Sequence, residues 1–129
     1  MKKKSTWIWQ HLHLLLSPCI VIPTAIIYGN PSLLSKNLDI QVDTIDLSNL
    51  LKALMCLYIG ISVVWMLGVW KPQYWKGATQ LNALFMLTLA AGRLLSILLD
   101  GLPTAGYVFG LVAELAIGSF AIYQLYRDK

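Results

Sequence analysis

Four apolar runs divide this sequence, and each is long enough to cross a bilayer as a helix. They cover about Trp7 to Gly29, Leu50 to Trp70, Gly77 to Leu99 and Thr104 to Tyr126. About 20 predominantly apolar residues span a hydrocarbon core of roughly 30 Å at 1.5 Å rise per residue. A soluble chain of 129 residues has too little polar surface to cover that much apolar material. Charged residues make up 12% of the chain, about half the usual share. The expected fold class is all-α: an integral-membrane, up-down four-helix bundle built as a single domain over residues 1–129.

The breaks between runs set the topology. Pro18 and Pro23 lie inside the first run and are expected to kink it, with neighbouring helices satisfying the freed carbonyls. Lys2, Lys3 and Lys4 precede that run, as in a signal peptide. The run exceeds signal-peptide length and has no clear small-residue cleavage site, so it reads as an uncleaved first span. The segment from Asn30 to Asn49 is the long polar loop, expected to hold a short surface helix or interfacial turn. Asp46 or Ser48 is expected to cap the helix that follows. The link from Lys71 to Lys76 and the turn Asp100-Gly101-Leu102-Pro103 are short, which forces antiparallel neighbours.

Four spans put both ends of the chain on one side. That side collects Lys2, Lys3, Lys4, Lys71, Lys76, Arg127 and Lys129. The opposite side has Lys36 and the edge-lying Lys52, set against Asp39, Asp43, Asp46 and Asp100. The positive-inside rule then places both termini in the cytoplasm. Trp7, Trp9, Trp70, Trp75, Tyr123 and Tyr126 fall at the same boundary, where amphipathic rings prefer to sit. The net charge of +4 lies mostly at the two ends and one short loop. That distribution serves orientation rather than a nucleic-acid surface. The expected partners are membrane lipid and other membrane protein subunits.

Charges inside the spans are scarce, so those present demand a reason. Glu114 lies near the middle of the fourth run, where an unpaired charge costs about 3 kcal/mol on insertion scales. Gly106, Gly110, Glu114 and Gly118 recur every four residues and form one stripe. Small residues at that spacing let another helix approach closely. Arg93 in the third run is the natural partner. It lies roughly 9 Å from the outer end of its span and Glu114 roughly 15 Å, a gap the two side chains can bridge. Asn82, Met86, Leu89, Arg93, Ser96 and Asp100 share one face of the third helix. Asp100 and Lys52 are expected at the outer mouth of the same seam.

Two uses of this cluster remain open on sequence alone. In one it is a structural lock, with Arg93 paired to Glu114 or reaching outward to Asp100. In the other, Arg93, Ser96, Asp100, Glu114 and Lys52 frame a polar cavity that binds an anionic or amphipathic ligand or relays protons.

The remaining chemistry-bearing residues narrow the class. Gln10, His13, Ser17, Thr24 and Tyr28 share a polar face of the first helix, with His11 offset. A bis-histidine haem site needs a histidine on a facing helix, and the chain has only His11 and His13. No Cys/His cluster has zinc spacing, and no cofactor is expected. Cys19 and Cys56 lie inside apolar runs and read as packing residues. Phosphate-loop, serine-hydrolase and zinc-protease motifs are missing from the sequence.

Gly92-Arg93-Leu94-Leu95-Ser96, then Asp100-Gly101-Leu102-Pro103, then Glu114, resembles the signature of a bacterial four-helix membrane family, domain-of-unknown-function family 4345. The resemblance covers nearly the whole chain. It implies four spans and treats Arg93, Ser96, Asp100 and Glu114 as one unit, without implying an activity. Lys52 stands where that family usually has an arginine, and Met55 and Cys56 stand where glycine is usual.

The functional expectation is a non-enzymatic, multi-pass protein of the bacterial inner membrane whose polar cluster binds a small ligand or lipid. Two alternatives stand beside it: an accessory subunit of a larger membrane complex, and a proton-coupled carrier or membrane enzyme using Glu114.

Overall fold

In the computed structural model residues 2–129 are described, with side chains from Thr6 onward. Lys2, Lys3 and Lys4, counted above toward orientation, therefore have side chains outside the described residues. Five helices follow in order: α1 (Lys2–Gly29), α2 (Pro31–Asn37), α3 (Ile45–Trp70), α4 (Pro72–Asp100) and α5 (Ala105–Arg127). Among the described residues there is no strand. Helices α1, α3, α4 and α5 are each long and apolar enough to cross a membrane.

The pairings fix the arrangement. Helix α1 packs chiefly on α3, α3 on α4, and α4 on α5, while α5 closes the ring against α1. Near the start of α1, the Trp9 carbonyl accepts from Gln124 at the end of α5 and the Gln10 carbonyl from Trp75 at the start of α4. At the other end, Tyr28 of α1 meets Tyr58 of α3. Helices α1 and α4 thus run one way, and α3 and α5 run back. The two ends of the bundle are named below for His13 and for Arg93.

The chain punctuation differs from expectation in instructive places. Helix α3 starts at Ile45, and its cap is Thr44 rather than Asp46 or Ser48; the Thr44 hydroxyl accepts from the Leu47 N–H at 3.2 Å. The cap precedes the first helical residue, so the polar start of α3 lies inside the helix. The expected link from Lys71 to Lys76 shrinks to Lys71 alone. Pro72 ends α3 but also opens α4 as its first residue, where no intrahelical N–H is needed. The turn after α4 follows the sequence expectation: Gly101 has φ +97° and donates its N–H to the Ile97 carbonyl. In the polar loop, Asn30 Oδ1 accepts from the Ser32 and Leu33 N–H groups and starts α2. Leu34 on α2 is fully buried, which ties the loop to the bundle.

Helix α1 runs through Pro18 and Pro23 without interruption. Nearby hydroxyls bond the helix's own carbonyls: Ser17 to His13 at 2.7 Å and Thr24 to Ile20 at 2.8 Å. An aromatic ladder fills the core, from Tyr28 to Tyr58 to Phe85 to Trp65, with ring centroids 5.2 to 5.7 Å apart. These edge-on contacts use the complementary ring quadrupoles.

The bundle is thin. It exposes 8343 Å², against roughly 6,800 Å² for a compact soluble chain of 14.4 kDa. At most 39% of any apolar span window is buried within it. Leu50, Leu57, Val63, Leu94, Leu98, Phe109 and Val112 all face outward. Apolar surface on that scale is what a hydrocarbon solvent accepts and water does not.

Glycines set the closest approaches. A Cβ on Gly118 would lie 2.8 Å from Leu87 and 3.2 Å from the Met86 Cβ, so α5 and α4 touch there. Gly68 lies against Ala78 and Leu14. It is buried inside the bundle. Gly60 has open space around it. Gly118→Val should therefore lower the unfolding stability in detergent by about 1–3 kcal/mol. Gly60→Ala should leave it unchanged or raise it by up to about 1 kcal/mol. Thermal unfolding of the two variants side by side checks the difference.

Candidate functional site

Arg93 and Glu114 meet across the α4–α5 seam. The Arg93 Nε donates to both carboxylate oxygens, at 3.0 and 2.9 Å. The side chains are 18% and 9% exposed, so this pair is largely withdrawn from solvent. The helical repeat explains the meeting. Gly110 and Gly118 flank Glu114 at four-residue spacing on α5 and both face α4. A Cβ on Gly110 would lie 3.8 Å from an Arg93 terminal nitrogen; glycine there leaves the guanidinium its room. Gly106 departs from the stripe's expected role and faces Leu38 of the polar loop.

The other expected members divide. Ser96 donates to Asp100 Oδ2 at 3.0 Å, one turn along the exposed face of α4. The outward Arg93–Asp100 pairing is not the one formed; Glu114 holds the guanidinium. Lys52 donates to Ser48 Oγ at 2.8 Å on the exposed side of α3. The structure thus brings Arg93 and Glu114 together, keeps Ser96 and Asp100 as a pair beside them, and leaves Lys52 with its own helix.

Beside the ion pair is a cavity of about 380 Å³, within the size range of small-molecule sites. Its walls come from all four long helices: Tyr28, Tyr58, Arg93 and Tyr107 are its polar and aromatic members. The Arg93 guanidinium carbon sits 4.9 Å from the centre of the Tyr107 ring, a cation–π distance. Tyr28 is close enough to interact with both Arg93 and Tyr107. Thr88, Gly92 and Ser96, spaced four apart, line the cavity and are exposed. Its mouth therefore opens along the outer flank of α4.

The tyrosines are the residues that the sequence-based cluster omitted. Tyr28 was on the polar stripe of α1, without a link to Arg93. Tyr107 precedes Glu114 by seven residues and so shares its helix face, a signal the sequence carried. Tyr58 had no comparable mark, because an aromatic residue within an apolar run is ordinary core material.

A second polar assembly lies at the other end. His13 Nε2 is 2.9 Å from Thr79 Oγ1, and Asn82 Nδ2 donates to Ser17 Oγ at 2.7 Å. These four residues are almost fully buried and tie α1 to α4 diagonally. His11 turns elsewhere, with Nδ1 2.8 Å from the Trp7 carbonyl oxygen. Among the described residues no group of three or more His, Cys, Asp or Glu side chains is placed to hold a metal.

Breaking the ion pair from one side leaves a withdrawn charge without a partner. Arg93→Met and Glu114→Gln should each cost about 3 kcal/mol or more of unfolding stability. The double variant Arg93→Met with Glu114→Leu should recover most of that loss, because an apolar pair of similar volume removes both charges. A double-mutant cycle on the unfolding transition measures the coupling.

Nothing among curated proteins or solved structures matches the chain. The family model described as Domain of unknown function (DUF4345) matches residues 10–125, a stretch that includes the ion pair, the cavity and the buried polar assembly. The chain belongs to the DUF4345 family.

Proposed function

We propose that this protein is a multi-pass membrane protein, non-enzymatic, whose Arg93 cavity binds a small amphipathic ligand from the surrounding lipid. One observation carries this reading: a cavity of about 380 Å³ lies against a withdrawn Arg93–Glu114 pair and opens on the exposed outer flank of α4. A pure helix lock needs the ion pair but not the adjoining space. Proton carriage through Glu114 has less support, since both carboxylate oxygens are engaged by Arg93.

The charge distribution supports an orientation with both termini in the cytoplasm of a bacterial inner membrane. Lys71, Lys76, Arg127 and Lys129 gather at the His13 end, while Asp39, Asp43, Asp46 and Asp100 gather at the Arg93 end. The Arg93 cavity then lies in the outer half of the bilayer.

Two measurements test the proposal. With Cys19 and Cys56 replaced by alanine, a cysteine at Lys129 should be shielded from a membrane-impermeant maleimide in intact cells, and one at Lys36 should react. The reverse pattern inverts the topology. For binding, native mass spectrometry of protein extracted directly into lipid discs should show a small bound amphiphile. Gly92→Phe should abolish that adduct, since a Cβ there meets nothing within 4 Å and the ring can grow into the cavity. Identical adduct spectra for wild type and variant would sink the binding reading.

A further inference from the structure

The ligand's charge and hydrogen-bonding character follow from the groups that line the cavity. This step rests on the binding reading just proposed. Arg93 is the charged residue in the lining, and its charge is compensated at contact distance by Glu114. Asp100 stands beside the rim through its bond to Ser96. An anion entering here would gain little from the neutralised guanidinium and would face the Asp100 carboxylate. A cation fares no better. The aromatic face that would receive it, Tyr107, is already covered by the Arg93 guanidinium, which repels a second positive charge. Moving either ion out of water and into such a site adds a desolvation cost that a neutral ligand does not face.

Free donors remain beside the ion pair. Arg93 uses Nε for both bonds to Glu114, so the N–H groups on its terminal nitrogens are not consumed by the carboxylate. Tyr58 is held edge-on between Tyr28 and Phe85, and its hydroxyl has no hydrogen-bond partner among the described residues. The hydroxyl protons of Thr88 and Ser96 are already given, to the Leu84 carbonyl at 2.7 Å and to Asp100 at 3.0 Å. What remains is a charge-neutral, aromatic-walled space with a lateral mouth, with free donors at Arg93 and Tyr58 and the Thr88 and Ser96 oxygens left as acceptors at the mouth.

We infer that the cavity takes an uncharged amphiphile whose head group presents carbonyl oxygens that accept from Arg93 and Tyr58, while its apolar tail leaves between Thr88, Gly92 and Ser96. Two membrane components share that chemistry: a quinone ring on an apolar chain, and the ester head of a diacylglycerol. The neutral amphiphile narrows the anionic or amphipathic ligand expected from the sequence.

The test uses the full chain in discs of neutral phosphatidylcholine, with equilibrium dialysis against four probes. These are a decyl-substituted benzoquinone, dioctanoylglycerol, decyl phosphate and decyltrimethylammonium. Specific binding is the part removed by Gly92→Phe. One of the two neutral carbonyl probes should bind at least about tenfold more tightly than either ion, and which one it is names the source. Tyr58→Phe, which deletes a single hydroxyl, should weaken that probe about fivefold. If decyl phosphate or decyltrimethylammonium shows the tighter Gly92-sensitive binding, the neutral-ligand inference is overturned while the cavity remains a binding site. If no probe shows Gly92-sensitive binding, this inference and the binding reading fall together.

Discussion

A guanidinium inside an apolar bundle has to be answered by a carboxylate, and much of this structure is arranged around that requirement. The answer comes from a different helix. Meeting it fixes the rotation of α4 against α5 and brings glycine to the contact at Gly110 and Gly118. A buried pair of this kind is weak evidence for net stability, because desolvation offsets much of the attraction. Its effect is greater on specificity. Another rotation of α5 would part Glu114 from Arg93 and leave two charges unpaired among apolar side chains. The cavity is a by-product of the same geometry. Arg93 reaches sideways to Glu114, and the space beside its stem is bounded by tyrosines that fill only part of it.

The two ends of the bundle solve the problem of buried polarity differently. At the Arg93 end polarity is ionic and borders open space. At the His13 end it is neutral and sealed: His13, Thr79, Ser17 and Asn82 link α1 to α4 through side chains. Interhelical hydrogen bonds in apolar surroundings contribute modestly, on the order of 0.6 kcal/mol each. Their geometry is nevertheless exacting, so they set register. Gln124 and Trp75 add bonds from α5 and α4 to the backbone of α1. One end is therefore tied from α1 to both α4 and α5, while the other carries the Arg93 cavity.

Much of the architecture was legible because its signals are one-dimensional. Long apolar runs and the turn at Gly101, the glycine with positive φ, need no tertiary knowledge. The ion pair was legible too, since depth along two antiparallel helices is simple arithmetic. Three features were not. The cap of α3 was placed too late because Asp46 and Ser48 are equally good cap residues by type, and only backbone geometry singles out Thr44. Lys52 was drawn into the cluster because depth was readable and azimuth was not; its amine turns to Ser48. The tyrosine walls were hidden because a ring that lines a cavity and a ring that fills a core have the same sequence signature. Only the rotation of four helices about their axes separates the two, and no local pattern encodes it.

The one-residue join at Lys71 has a consequence for how such a chain is made. Lys71 donates to the Leu67 carbonyl of α3, and its own carbonyl accepts from Tyr74 of α4, so the end of one helix is stitched to the start of the next. Gly68 against Ala78 keeps the pair in contact just beyond the join. Neither helix has slack to wait in water while its neighbour crosses. In a chain of the proposed topology, α3 and α4 would leave the ribosome as a preformed hairpin and enter the bilayer in one step. Arg93 would arrive in that step, ahead of its carboxylate. Until α5 is synthesised it would have to stay near the headgroups, so the last helix would also complete the burial of the third span.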